Sequence, residues 1–245
     1  QRLEEEMSLA RRIQMDLLPK MPPSGPGFSI AAHSQPSRTV GGDFYDFVPA
    51  GGDGEFGLVV ADVSGKGMPA ALLAAQIQAV LRSEMINRRD VAQTMINVNN
   101  LVAGLSSTSG KFATVFYGSF HPLTREFVFS NAGHNYPVLV RADGRCEFLE
   151  TGGTVIGAFE GNFYQSSSVV LGPKDLLFFY TDGLSEAHNA LDEEFGEERI
   201  IDYIVNNRHR SPDEIRDGII GQVTDFVNAD TTEDDTTVIV LKMNG

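Results

Sequence analysis

From Gln1 to Leu18 the chain has neither Gly nor Pro, and Leu3, Met7, Ala10, Ile13 and Leu17 recur at steps of three and four residues. That spacing returns to one side of a helix and predicts an amphipathic helix with a narrow apolar stripe. No Ser, Thr, Asp or Asn caps its start and the first residue is not Met, so a longer helix, led by an upstream sensor domain, is expected. The stripe has two readings. It pairs with a second copy as a short coiled coil, giving a homodimer that passes a signal through Leu3, Ala10 and Leu17, or it packs on its own domain. Pro19, Pro22, Pro23 and Pro26 end the helix and form a stiff connector, which divides the chain into an arm, 1–26, and a globular domain, 27–245.

Beyond the prolines the period changes. Phe28–Gln35, Gly42–Val48 and Phe56–Val63 read as strands, the second closing in the turn-forming run from Pro49 to Gly54. Pro69 suits the first turn of a helix reaching about Asn87, and a second helix runs from about Val91 to Leu105. Strands resume at Ala113–Phe120, Glu126–Ser130, Pro137–Arg141 and Cys146–Leu149, with a turn at Ala142-Asp143-Gly144, and continue at Val169–Leu171 and Asp175–Thr181. Helices at Glu198–Asn206 and Pro212–Asn228 and a strand at Thr237–Lys242 close the chain. Blocks of strands broken by pairs of helices favour an α+β fold, with sheets face to face and helices outside, over a doubly wound parallel sheet. The run from Ala70 to Ala75, with Leu72 and Leu73, is apolar nearly all round, so its helix is expected to be sandwiched.

Composition narrows the possibilities. At 245 residues, 42% hydrophobic and without a repeat, the chain suits one domain plus its arm. Its net charge of -14, from 33 acidic and 19 basic residues with no Lys or Arg run, argues against nucleic-acid binding. The single cysteine, Cys146, rules out an internal disulfide and fits a reducing, cytoplasmic setting. No apolar run approaches the roughly 18 residues of a membrane span, and no signal peptide is visible.

Candidate chemistry lies in four aspartates. Asp43, Asp62, Asp182 and Asp234 each begin or end a strand-like stretch beside glycine or other small polar residues. Carboxylates at strand ends, held by a rigid sheet, suit a hard divalent cation, and together they read as one metal site. Asp235 is the alternative to Asp234, because adjacent residues in an extended segment point opposite ways. Zinc is disfavoured, since His33, His121, His134, His188 and His209 show no paired helical spacing and suit surface or packing roles. Gly65-Lys66-Gly67 fails the phosphate-loop pattern, because Met68 follows Gly67 and no glycine stands five residues before Lys66.

Five stretches in order, Val40 to Asp46, Ala61 to Gly67, Asn131 to Asn135, Tyr180 to Gly183 and Asp234 to Thr237, resemble the signatures of the SpoIIE/RsbU branch of the PPM (protein phosphatase 2C-like) metal-dependent serine/threonine phosphatases. The resemblance covers about residues 28 to 243. It implies a four-layer α/β/β/α sandwich of two antiparallel sheets, with two divalent cations, Mn²⁺ or Mg²⁺, at one edge. It also implies that Asp62 bridges both ions, that the Val63 carbonyl adds a ligand, and that Asp43, Asp182 and Asp234 complete the shell. Arg38 stands where some relatives contact the phosphate. Ser64 occupies the place of a leaving-group histidine of the animal enzymes, which leaves that proton to solvent. His134 falls at their third-metal aspartate, which argues against a third ion. The helix bearing Leu72 and Leu73 is, by the same likeness, a regulatory element beside the Asp62 loop.

The expected function is hydrolysis of phosphoserine or phosphothreonine on a regulatory protein of the anti-sigma-factor-antagonist type, set by the N-terminal helix. Two alternatives stand beside it: an inactive relative that only binds a phosphoprotein, and a hydrolase of small phosphate esters.

Overall fold

Two sheets built from sequence-distant strands face each other. One runs β1 (Phe28–Gln35), β11 (Thr236–Met243), β10 (Leu176–Tyr180), β6 (Val138–Val140) and β7 (Cys146–Phe148). The other runs β2 (Phe44–Pro49), β3 (Phe56–Val63), β4 (Ala113–His121), β5 (Glu126–Ala132) and β8 (Gly152–Gly153), with β9 (Ser167–Val170) also pairing β5. All pairings are antiparallel except that of β5 with β8. The computed structural model describes residues 2–50, 52, 54–87, 90–106, 110–229 and 232–245, without the side chains of residues 3, 105 and 106.

Helices α2 (Met68–Ile86) and α3 (Val91–Ser106) pack on the sheet of β2 to β5, while α5 (Glu197–Asn207) and α6 (Pro212–Val227) pack on the other. Strands covered on both faces need apolar residues without alternation. The fully buried run of β10, Leu176 to Tyr180, and the nearly continuous burial of β3 have that origin. Between the sheets, Phe116 of β4 meets Phe179 of β10 edge to face at 5.6 Å and stacks on Phe129 at 5.7 Å. Each such ring contact adds about 0.5–1.5 kcal/mol beyond area burial. The α+β class and the expected strands and helices appear, with ends shifted by a few residues at most.

Contrary to expectation, helix α2 is not sandwiched. Ala70, Leu73 and Ala74 are buried, but Leu72 is 60% exposed, because sheet and neighbouring helices leave one face of α2 open. The two-residue β8 and the one-turn α4 (Asp182–Ser185) are additional to the expected elements, being too short for any periodicity. In the turn after β2, the Ala50 N–H donates to the Glu55 carbonyl at 2.9 Å; Gly51 and Asp53 of that turn lie outside the described residues.

Helix α1 (Arg2–Leu17) rests on α2 rather than standing free. Met7, Ala10, Gln14 and Leu18 turn toward the body, while Ile13 and Leu17 are 56% and 38% exposed, so the apolar stripe is split between protein and solvent. Its last turn is fastened by Gln78 and Arg82 of α2, which donate to the Leu17 carbonyl at 3.0 and 3.3 Å. Arg82 also pairs with the buried Asp46 of β2, which joins arm, helix and sheet through one guanidinium. Leu3 belongs to α1, its side chain outside the described set. No described helix is long and apolar enough to cross a membrane.

Candidate active site

The antiparallel registers decide where the aspartates go. Phe44 lies opposite Ala61, so Asp43, one residue before β2, falls beside Asp62 near the end of β3. In the facing sheet Tyr180 lies opposite Val238, so Thr181 and Asp182 after β10 meet Asp234 and Asp235 before β11. Both pairs emerge at the same rim. Hydrogen bonds then staple one sheet to the other: the hydroxyls of Thr181 and Thr237 donate to Asp43 Oδ2 at 2.6 and 3.0 Å. The Thr237 N–H in turn donates to Thr181 Oγ1 at 2.9 Å.

Two glycines permit the convergence. A methyl group on Gly42 would lie 2.7 Å from the Val63 carbonyl oxygen, and one on Gly183 would overlap the Asp235 carbonyl. The stretches of Asp43 and Asp62 therefore meet in backbone contact, as do those of Asp182 and Asp234.

The adjacent aspartates near β11 do different things. Asp235 is buried, and its carboxylate accepts from the Ser37 N–H at 2.8 Å, the Ser37 hydroxyl at 3.0 Å and the Gly42 N–H at 2.6 Å, with a longer contact of 3.4 Å from the Asp43 N–H. Asp234 is 44% exposed and pairs through Oδ2 with Lys66 Nζ at 2.8 Å. The Lys66 ammonium also donates to the Glu233 carbonyl at 3.1 Å.

Among the described residues, acid groups outnumber the cations here, with Lys66 paired to Asp234 alone. Burial first, then repulsion from Asp182, Asp234 and Asp235, pushes the Asp62 carboxyl up to about 7, while a hydrogen bond shared with Asp43 opposes the rise. Asp43 is driven well above the usual carboxylate range by burial and by Asp62, against donation from Thr181 and Thr237. Asp182 is raised by burial, Glu186 and Asp234. Among the described residues no three carboxylate, imidazole or thiolate groups are gathered into a ready-made metal cage. The donors nonetheless fit a hard divalent cation: they are oxygen atoms only, converge from four chain segments, and carry excess negative charge.

Of the other expected positions, Arg38 is exposed and within electrostatic reach of Lys66, the partner of Asp234. His134 is buried, its Nδ1 2.9 Å from the hydroxyl of Thr114, which stands opposite Asp62 in the β3–β4 ladder. Burial holds its imidazole down to about 4, hence neutral, in keeping with a packing role. Ala10 is half-buried and Leu17 partly exposed on α1, while on α2 Leu73 is buried and Leu72 faces solvent.

Sequence reasoning passes over two residues that touch the site. Lys66 stands out in the sequence only as part of a failed phosphate-loop pattern. Gln14 grips the loop before Asp43 from both sides: its Nε2 donates to the Gly41 carbonyl at 2.7 Å and its Oε1 accepts from the Gly41 N–H at 3.1 Å. The available signal was a polar amide on the helical face shared with Met7 and Ala10.

The family model described as Stage II sporulation protein E (SpoIIE) matches residues 52–244. "Phosphoserine phosphatase RsbU" of Bacillus subtilis is 27% identical over 247 residues, which cover 99% of this chain and 71% of that protein. "Protein IcfG" of Synechocystis is 25% identical over 265 residues, covering 98% of this chain but only 42% of its own length. In structure, the SiaA-PP2C domain of Pseudomonas aeruginosa superposes with a TM-score of 0.85, at 20% identity over 98% of this chain and 97% of that one. At that identity the likeness speaks for the fold.

Proposed function

Since the chain belongs to the Stage II sporulation protein E (SpoIIE) family, we propose that it is a metal-dependent phosphatase that hydrolyses phosphoserine or phosphothreonine on a regulatory protein. The observation that carries this reading is the meeting of Asp43, Asp62, Asp182 and Asp234 at one rim, from four segments of the chain. The name of RsbU, a phosphoserine phosphatase matched along nearly the whole chain, supports the substrate class.

Asp62, Asp43, Asp182 and Asp234, with the Val63 carbonyl, would hold two divalent cations, Mn²⁺ or Mg²⁺. When bound, such a pair lowers the pKa of a coordinated water and neutralises phosphate charge. The protein's own part is to place and desolvate these oxygens. Asp235 keeps the Gly42–Asp43 loop in register by binding its N–H groups, and Thr181 and Thr237 fix Asp43 against β10 and β11. Arg38 would meet the incoming phosphate.

The natural substrate class is a phosphorylated anti-sigma-factor antagonist, with activity set by an upstream sensor domain through the arm and by pairing of two copies along α1. Gln14 supports a signalling route, since it ties α1 directly to the loop that carries Asp43. Replacing Gln14 by Ala is expected to lower kcat about tenfold while the melting temperature falls by about 2–4 °C, because two hydrogen bonds at a part-buried contact contribute about 1 kcal/mol in sum. Steady-state kinetics beside a thermal melt check this, and unchanged kcat would remove Gln14 from the route.

The reading itself is tested by phosphate release with Mn²⁺ from a phosphoserine protein, a phosphothreonine peptide and free nucleotides. Turnover of the first two is expected. Release from nucleotides alone would make the chain a small-ester hydrolase, and binding without release would make it an inactive relative.

A further inference from the structure

Lys66 is the cation whose ion pair reaches the aspartate cluster among the described residues. Its neighbours in charge are otherwise placed: Lys111 donates to the Ser64 carbonyl at 3.1 Å, and Arg38 is exposed. Lys66 therefore holds Asp234, one of the carboxylates assigned above to a divalent cation, and a carboxylate oxygen paired with an ammonium is not free to coordinate. The pair is lightly held. The Lys66 and Asp234 side chains are 40% and 44% exposed, and exposed pairs contribute little in water.

The backbone around Lys66 suits movement. Gly65 and Gly67 have φ of 92° and 75°, a region that favours glycine, so the lysine sits between two residues with wide conformational freedom. A four-carbon stem with three rotatable donors extends that reach. A divalent cation arriving at Asp234 repels the ammonium, and a dianionic phosphate at the same site attracts it.

We propose that Lys66 is an internal counter-ion with two positions: it occupies Asp234 while no divalent cation is bound, and it turns to the substrate phosphate once a cation takes that carboxylate. The proposal rests on the phosphatase reading above and gives Lys66 opposite effects on two ligands, which a merely structural residue would not have. Removing its charge favours the metal and disfavours the phosphate.

The test compares wild type, Lys66→Met and Lys66→Arg, with folding checked by circular dichroism. Calorimetric titration of Mn²⁺ without substrate is expected to show binding tighter by about three- to fivefold in the Met variant, the size an exposed ion pair supports. The Arg variant, which keeps the charge, should bind Mn²⁺ as wild type does. With a phosphoserine peptide, KM is expected to rise about tenfold in the Met variant, with partial recovery in the Arg variant. Unchanged or weaker Mn²⁺ binding in Lys66→Met, or an unchanged KM, would overturn the proposal. Folded wild-type protein that takes up no Mn²⁺ would instead bring down the phosphatase reading on which it rests.

Discussion

Replacing Asp62 by Asn is expected to abolish metal-dependent phosphate release, by about a thousandfold or more, and at the same time to stabilise the cation-free protein. The first effect comes from losing one of the carboxylates that would hold the cations. The second comes from crowding. In the folded, cation-free protein the Asp62 carboxyl is pushed up to about 7, chiefly by burial and then by Asp182, Asp234 and Asp235, whereas an unfolded chain titrates near the ordinary value of about 3.9. Below about pH 4 both states are protonated, and the substitution changes little. Between about pH 4 and 7 the unfolded chain releases a proton that the folded state keeps, so wild type progressively loses stability relative to Asn. Above about pH 7 the difference is full, about 2 kcal/mol after allowance for partial solvent exposure. Melting near pH 8 should then rise by about 4–8 °C in the variant, and by almost nothing near pH 4. Retained turnover would defeat the catalytic role, and a variant less stable at pH 8 would defeat the electrostatic account.

The neighbouring aspartates before β11 should separate by kind of damage. Asp235→Ala removes the acceptor for Ser37 and Gly42 and leaves buried N–H groups unpaired. The expected cost is about 3–5 kcal/mol, or a fall of roughly 10 °C in melting temperature. Asp234→Ala removes one exposed ion pair and the acceptor of the Asp235 N–H, so the melt should fall by no more than about 4 °C while Mn²⁺ uptake weakens strongly. Thermal melts and metal titration on both variants decide the matter. The opposite pattern, with Asp234 essential for folding and Asp235 for metal uptake, would reverse the ligand assignment.

Much of this architecture could be read from the chain. Continuous apolar runs such as Phe56–Val63 mark strands covered on both faces, and Pro69 and Pro212 mark helix starts, because those signals are local. The four aspartates are legible as strand-end residues. Their meeting is implied by the resemblance rather than by any local pattern, since the pairing of β2 with β3 and of β10 with β11 is a tertiary fact. Which way Asp234 and Asp235 turn depends on a single backbone alternation that the sequence leaves open; in the fold they take separate partners, Lys66 for the first and Ser37 with Gly42 for the second. Leu72 misleads for a related reason: an apolar residue on a helix says nothing about whether a neighbour arrives to cover it. Lys66 and Gln14 act on loops far away in sequence or across a connector, and periodicity places Gln14 on the inner helical face without showing which loop it meets.

Strand β11 lies between β1 and β10, and Thr237 near its start donates to Asp43 across 194 residues of chain. The rim of aspartates thus cannot exist on a polypeptide still emerging from the ribosome until that strand is made, because the segment that completes it comes after every other part of the cluster. A product terminated before β11 would carry Asp43, Asp62 and Asp182 without the strand whose Thr237 holds Asp43 in place.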